Sequence, residues 1–93
     1  MKYQFSKILK DVAIITPDIH YDYRGEYIET WNSENYAVFN YLVNDSNKIE
    51  FKQDDISTSV NHTLRGLHGD NKTWKLVSCV YGSLLQVVVD MRE

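Results

Sequence analysis

Three basic side chains in one stretch, Arg65, His68 and Lys75, carry the strongest chemical signal in the chain. Histidine titrates near neutrality and is the commonest general acid or base. Two cations close to it point to an anionic ligand and favour the neutral imidazole, the form able to accept a proton. The structural alternative is a loop or core histidine satisfied by a backbone carbonyl. Lys75 shares a strand face with Val77 and Cys79, and that face is expected to look inward. A buried, unpaired ammonium is costly, so an inward lysine points to a site. Its alternative is a stem that snorkels out of the strand end near Lys72 and Thr73. As an ammonium, Lys75 could hold a developing enolate oxygen.

Two further polar groups accompany this stretch. Arg24, with Gly25, Tyr27 and Glu29, forms one. An arginine in a loop before a strand can grip phosphate bidentately, and an aromatic ring can stack on a base. The alternative there is an Arg24–Glu29 surface pair beside a core aromatic. Gln53, Asp54 and Asp55 form the other, either a simple turn or a hydrogen-bonding set for a ligand. A metal site is not expected, because His20, His62 and His68 lack both a His-x-His pair and zinc-ligand spacing. Glycine-rich phosphate loops and a G-x-S-x-G elbow are absent from the sequence. Cys79 sits among apolar residues and reads as an inert, buried thiol.

The elements that must position these groups are mostly strands. Val12–Thr16 is a β-branched run closed by Pro17, and Tyr21–Gly25 follows as a polar and aromatic loop. Glu26–Trp31 resumes strand character. Ser33 is the expected N-cap of one short helix, with Tyr36, Phe39 and Val43 as its apolar stripe and 44–47 as its end. Beyond it, Ile49, Phe51 and Gln53 alternate with Lys48, Glu50 and Lys52, the period of a strand. Thr73–Tyr81 alternates likewise, Gly82-Ser83 signals a hairpin, and Leu84–Asp90 is apolar on both faces, as in the inside of a sandwich. The pattern predicts an all-β sandwich, with a jelly roll as the leading candidate, one short helix and residues 1–93 in one domain. It yields about six strands, fewer than a full jelly roll has. A chain stopping just after its most apolar strand needs a partner chain or a further half to cover that strand, so this is expected to be the N-terminal portion.

Composition narrows the function classes. With 43% apolar and 25% charged residues the chain is expected to fold rather than stay disordered. A net charge of -3 argues against a nucleic-acid binder that works through a diffuse basic surface. No apolar run approaches transmembrane length, so no membrane partner is expected. One cysteine precludes an internal disulfide and fits a reducing cytoplasm. Three glycosylation sequons, at Asn44, Asn61 and Asn71, read as chance without a secretion signal.

In order, these motifs resemble the cupin-fold nucleotide-sugar 3,5-epimerases, the dTDP-4-dehydrorhamnose 3,5-epimerase-like family. Asp22-Tyr23-Arg24-Gly25-Glu26-Tyr27-Ile28-Glu29 is similar to D-x-R-G-x-F-x-E, and Phe51-Lys52-Gln53-Asp54-Asp55 to F-x-Q-D-N. Leu64-Arg65-Gly66-Leu67-His68 is similar to L-R-G-L-H, and Lys75-Leu76-Val77 with Val80-Tyr81-Gly82 to K-L-V-x-V-x-G. Asp90-Met91-Arg92 resembles the closing D-x-R. Gly69 and Asp70 depart from the usual aromatic and glutamine, and Asp55 from the usual asparagine. With these departures the chain looks closest to a branch using GDP-linked 4-keto-6-deoxy-heptoses in bacterial capsule synthesis.

The resemblance implies a reaction. A 4-keto group acidifies the protons at C3 and C5; His68 would remove one and Lys75 would stabilise the enolate. A tyrosine would return a proton to the opposite face, and it and the histidine-orienting aspartate are expected beyond Glu93. Arg65 would bind phosphate, and Gln53 and Asp55 would lie near sugar or phosphate. Arg24, Tyr27 and Glu29 would reach the nucleotide, in family members often across a homodimer interface. No cofactor is implied. The remaining readings are an epimerase acting at only C3 or C5, and a cupin-fold sugar-nucleotide binding protein without turnover.

Overall fold

A computed structural model of the chain describes residues 1–42 and 49–92. The chain divides into two compact units, residues 1–48 with 89–93, and residues 49–88.

The first unit holds the regular structure. Strand β1 (Lys2–Phe5) pairs antiparallel with β2 (Ala13–Thr16), with Tyr3 opposite Ile15 and Phe5 opposite Ala13. Side chains alternate along strands, so these four share one face. Ala13 and Ile15 are accordingly half-buried, while Ile14 and Thr16 are exposed. Strand β3 (Ile19–Asp22) pairs with β4 (Gly25–Ile28) as a second hairpin. A 3-10 turn (Asn35–Ala37) then runs into helix α1 (Val38–Leu42). Phe39 meets Tyr3, Phe5 and Tyr36 edge-on, at ring separations of 5.3, 6.2 and 5.7 Å. Edge-to-face packing sets the positive ring edge against the negative face. Tyr36 is the buried residue of this core, and its hydroxyl donates to the Thr30 carbonyl at 3.1 Å. Burial, helped by the Glu29 carboxylate, pushes its phenol above the usual range.

The helix start differs from the sequence expectation. Asn32, not Ser33, satisfies the free N–H groups: its side-chain oxygen accepts from Glu34 N at 3.0 Å and Asn35 N at 3.1 Å. An amide oxygen reaches N–H groups two and three residues on, the usual capping geometry. Tyr36 and Phe39 form the expected stripe, whereas Val43 and the helix end over 44–47 lie outside the described residues.

Arg92 ties the chain's far end to the loop between β1 and β2. It donates to Asp11 Oδ2 at 2.7 Å, to the Lys10 carbonyl at 2.9 Å, and to both oxygens of Asp90 at 2.9 Å. The guanidinium holds the Asp90 carboxyl down at about 2.

In the second unit no strand or helix forms among the described residues; it is irregular chain with a turn at 61–62 and bends at 71–72 and 80–82. The strands expected over 49–53, 73–81 and 84–90 therefore have no ladder. Alternation specifies the side-chain period of a strand but not its neighbour, and a strand exists only through the bonds it shares with one. Two placements change as a result. Lys75 is exposed rather than inward, and Cys79 is an exposed thiol rather than a buried one. Leu85, expected inside a sandwich, is 90% exposed. The regular structure is strand with one short helix, in keeping with the all-β class. No helix among the described residues is long and apolar enough to cross a membrane.

Candidate active site

The β3–β4 hairpin presents the first polar group. Its register sets His20 opposite Tyr27 and Asp22 opposite Gly25, with Tyr23 and Arg24 at the turn. Gly25 adopts φ +134°, a conformation that L side chains rarely enter, so the chain reverses here on glycine. Arg24 folds back onto Asp22: its backbone N donates to Oδ1 at 2.8 Å, and Nε and Nη2 donate to Oδ2 at 3.0 and 2.6 Å. These bonds hold the Asp22 carboxyl below its ordinary range. The guanidinium carbon also stands 5.7 Å from the centre of the Tyr23 ring, a cation–π distance. Arg24 is thus braced on two sides, with no bond to its Nη1 among the described residues, and it lines a concavity of about 400 Å³ together with His20, Asp22 and Tyr27.

Glu29 does not pair with Arg24. Its two oxygens accept instead from Asn35 Nδ2 at 3.0 Å and Asn32 Nδ2 at 3.4 Å, which ties the exit of β4 to the helix start. Arg24 finds its anion two residues away, where the turn makes the closure local.

Gln53, Asp55, Arg65, His68 and Lys75 all belong to the second unit. Gln53 Nε2 donates to both oxygens of Asp55, at 2.9 and 3.2 Å, so these two form one polar group. Arg65 reaches back over the preceding turn: Nε donates to Ser59 Oγ at 2.9 Å and Nη2 to the Thr58 carbonyl at 3.1 Å. Thr63 steadies that turn by donating from both N and Oγ1 to the Val60 carbonyl. The guanidinium is oriented by neutral acceptors and has no ion pair among the described residues, which suits an anionic ligand. His68 and Lys75 are exposed, and among the described residues neither has a hydrogen bond or ion pair to the other or to Arg65. Between them lies a tight turn built on Asp70. Its Oδ1 accepts from Lys72 N at 2.8 Å and Thr73 N at 2.7 Å, and its Oδ2 from Thr73 Oγ1 at 2.7 Å. Those bonds lower the Asp70 carboxyl, with a smaller contribution from the charge of Lys75.

The structure therefore joins Gln53 to Asp55 and braces Arg24 and Arg65, while the side chains of His68 and Lys75 have no bonded partner among the described residues. Sequence reasoning missed the Asp22–Arg24 brace, His20 beside Tyr27, and the Asp70 turn. The first and last carry a local signal, an aspartate followed by N–H or side-chain donors two and three residues on. Among the described residues no group of three His, Cys, Asp or Glu side chains could hold a metal ion.

The family model for dTDP-4-dehydrorhamnose 3,5-epimerase matches residues 6–93. The chain belongs to this family. A dTDP-4-dehydrorhamnose 3,5-epimerase of Salmonella typhimurium is 38% identical over 88 residues, covering 91% of this chain and 45% of the relative. One from Methanothermobacter thermautotrophicus is 36% identical over 95 residues, covering 99% of this chain and 48% of the relative. A third, from Mycobacterium tuberculosis, is 37% identical over 82 residues, covering 85% and 38%. The chain spans about half the length of the curated relatives it matches. No solved structure gives a significant match.

Proposed function

We propose that this protein acts in a sugar-nucleotide epimerase, inverting C3, C5 or both of a nucleotide-linked 4-keto-6-deoxy sugar by removing and returning a proton. The observation that carries this reading is the family match over 6–93, a span that contains His68 and Lys75 as exposed groups on either side of one fixed turn. His68 takes the proton beside the ketone, and the ammonium of Lys75 meets the charge that builds on the enolate oxygen. Arg65, oriented by Ser59 and Thr58, binds a phosphate; Gln53 and Asp55 lie near sugar or phosphate. Arg24 and Tyr27 meet the nucleotide, and Glu29 supports them through Asn32 and Asn35. The returning proton comes from an acid that the family resemblance places in the second half of its members. The chemistry needs only proton transfer, so the proposal includes no cofactor. A homodimer working in the cytoplasm belongs to the same proposal.

The finer choice of substrate is a GDP-linked 4-keto-6-deoxy-heptose for capsule synthesis, on the ground of Gly69-Asp70 after His68. The relatives' printed names favour a dTDP-linked hexose as the competing substrate. Both can be offered to the full-length protein in deuterated water. Deuterium at C3 or C5 of the GDP-heptose supports the finer reading, and deuterium only in the dTDP-hexose overturns it. Tight nucleotide-sugar binding with no label in either would replace the enzyme by a binding protein.

A further inference from the structure

The side chains of His68 and Lys75 make no bonds of their own among the described residues, yet the backbone between them is fixed by one carboxylate. Asp70 closes the 70–73 turn with three hydrogen bonds of 2.7–2.8 Å, two to backbone N–H groups and one to a hydroxyl. No other side-chain hydrogen bond among the described residues falls within 68–75. Bonds to an ionised acceptor are stronger than neutral ones, so this turn is the stiffest part of the segment. It begins two residues after His68 and ends two residues before Lys75. Within so short a span, the turn sets the separation and relative direction of the two attachment points.

We propose that Asp70 is a positioning residue: through the 70–73 turn it holds the backbone of His68 and Lys75 at the spacing that proton abstraction and enolate stabilisation require. This inference rests on the epimerase reading above and deepens it. The family resemblance offers no counterpart, since Asp70 stands where its members usually have another residue type. The carboxylate also lies within electrostatic range of Lys75, so it keeps a negative charge near the ammonium without bonding to it. Position and charge can be separated chemically. In Asp70→Asn the amide oxygen still accepts from the two N–H groups and the charge is gone. In Asp70→Ala the turn loses all three bonds.

The test uses full-length protein and measures three quantities for the parent, Asp70→Ala and Asp70→Asn: deuterium wash-in at C3 and C5 from deuterated water, KM for the nucleotide sugar, and exchange protection of the Lys72 and Thr73 amides. Misplacing reacting groups by about 1 Å costs on the order of 100-fold in rate. The expected result is a roughly 10- to 100-fold fall in kcat and wash-in for Asp70→Ala, within about twofold in KM, together with loss of amide protection. Asp70→Asn should restore protection and most of kcat. A merely structural role would lower the amount of folded protein and leave the kcat of the folded fraction unchanged. Parent-like kcat in Asp70→Ala with protection lost overturns the positioning role. Low kcat in Asp70→Asn with protection kept also overturns it, because charge rather than position would then govern. If the parent itself exchanges no deuterium into either sugar, the epimerase reading fails and this inference falls with it.

Discussion

Replacing Gly25 by alanine isolates the cost of backbone handedness at the β3–β4 turn. Gly25 has φ +134°, and a β-carbon added there would meet no atom within 4 Å. Steric collision is thus removed from the problem, and what remains is the intrinsic penalty of an L residue in that region, about 1–3 kcal/mol. The hairpin is four residues long on each side and open to solvent, so it opens locally rather than with the whole chain. Amide exchange therefore reads the penalty directly: protection of the 19–22 and 25–28 amides should fall about 5- to 150-fold in Gly25→Ala. The amides of β1 and β2 serve as the internal control and should change little. Chemical synthesis allows a sharper comparison, with D-alanine at position 25. The mirror-image residue finds φ +134° comfortable, so it should keep parent-like protection on this exposed turn. Equal loss with D- and L-alanine, or no loss with L-alanine, would refute the assignment of the turn to glycine handedness. Since the turn also carries the Asp22–Arg24 brace, L-alanine should weaken nucleotide binding as well.

Other expectations follow from the same packing and charge arguments. Phe39→Ala removes three edge-on ring contacts, each worth about 0.5–1.5 kcal/mol, from a half-buried site, and should cost about 2–4 kcal/mol in urea unfolding. Phe39→Leu keeps most of the apolar volume and should cost about half of that; a Phe39→Leu that costs nothing would mean that ring geometry contributes nothing. Arg65→Ala should weaken nucleotide-sugar binding by about 1.5–3 kcal/mol, or about 10- to 150-fold in Kd by calorimetry, and unchanged affinity would remove Arg65 from the phosphate site. The clasp of Asp90 on Arg92 gives an acid dependence. The folded carboxyl, at about 2, lies below its ordinary 3.8, so its stabilisation is complete above the higher value and disappears as pH falls through the lower one. Arg92→Gln should flatten the rise of stability between those two pH values, and a titration curve identical to the parent's would show that the clasp does not form.

Local chemistry was legible in the sequence where it depends on neighbouring residues, and illegible where it depends on remote ones. The β-branched run ending at Pro17 announces β2, and Tyr36 with Phe39 announces the face that packs on β1. Strand β1 has only a faint signal: Tyr3 and Phe5 alternate with Lys2 and Gln4, and two apolar residues over four positions are a weak period. The loop expected over Tyr21–Gly25 narrows to Tyr23 and Arg24, with Tyr21 and Asp22 ending β3 and Gly25 opening β4, because pairing across the turn rather than composition makes them strand. In the second half the alternation around Lys75 suggests a face turned inward. A period of two distinguishes faces but cannot say which is covered, and both Lys75 and Cys79 are exposed. The site followed the same rule. The types and order of the polar residues could be read from the sequence, whereas their bonds could not. Arg24 pairs with Asp22 rather than Glu29, and Asp70 serves the turn between His68 and Lys75.

The central claim is that His68 removes a proton from carbon next to a sugar ketone. The direct measurement is deuterium incorporation at C3 and C5 of a nucleotide-linked 4-keto-6-deoxy sugar, comparing full-length parent with His68→Ala at equal, calorimetrically verified substrate occupancy. The account predicts label at one or both carbons with the parent and none above the uncatalysed background with His68→Ala. Parent-like label in His68→Ala would contradict it.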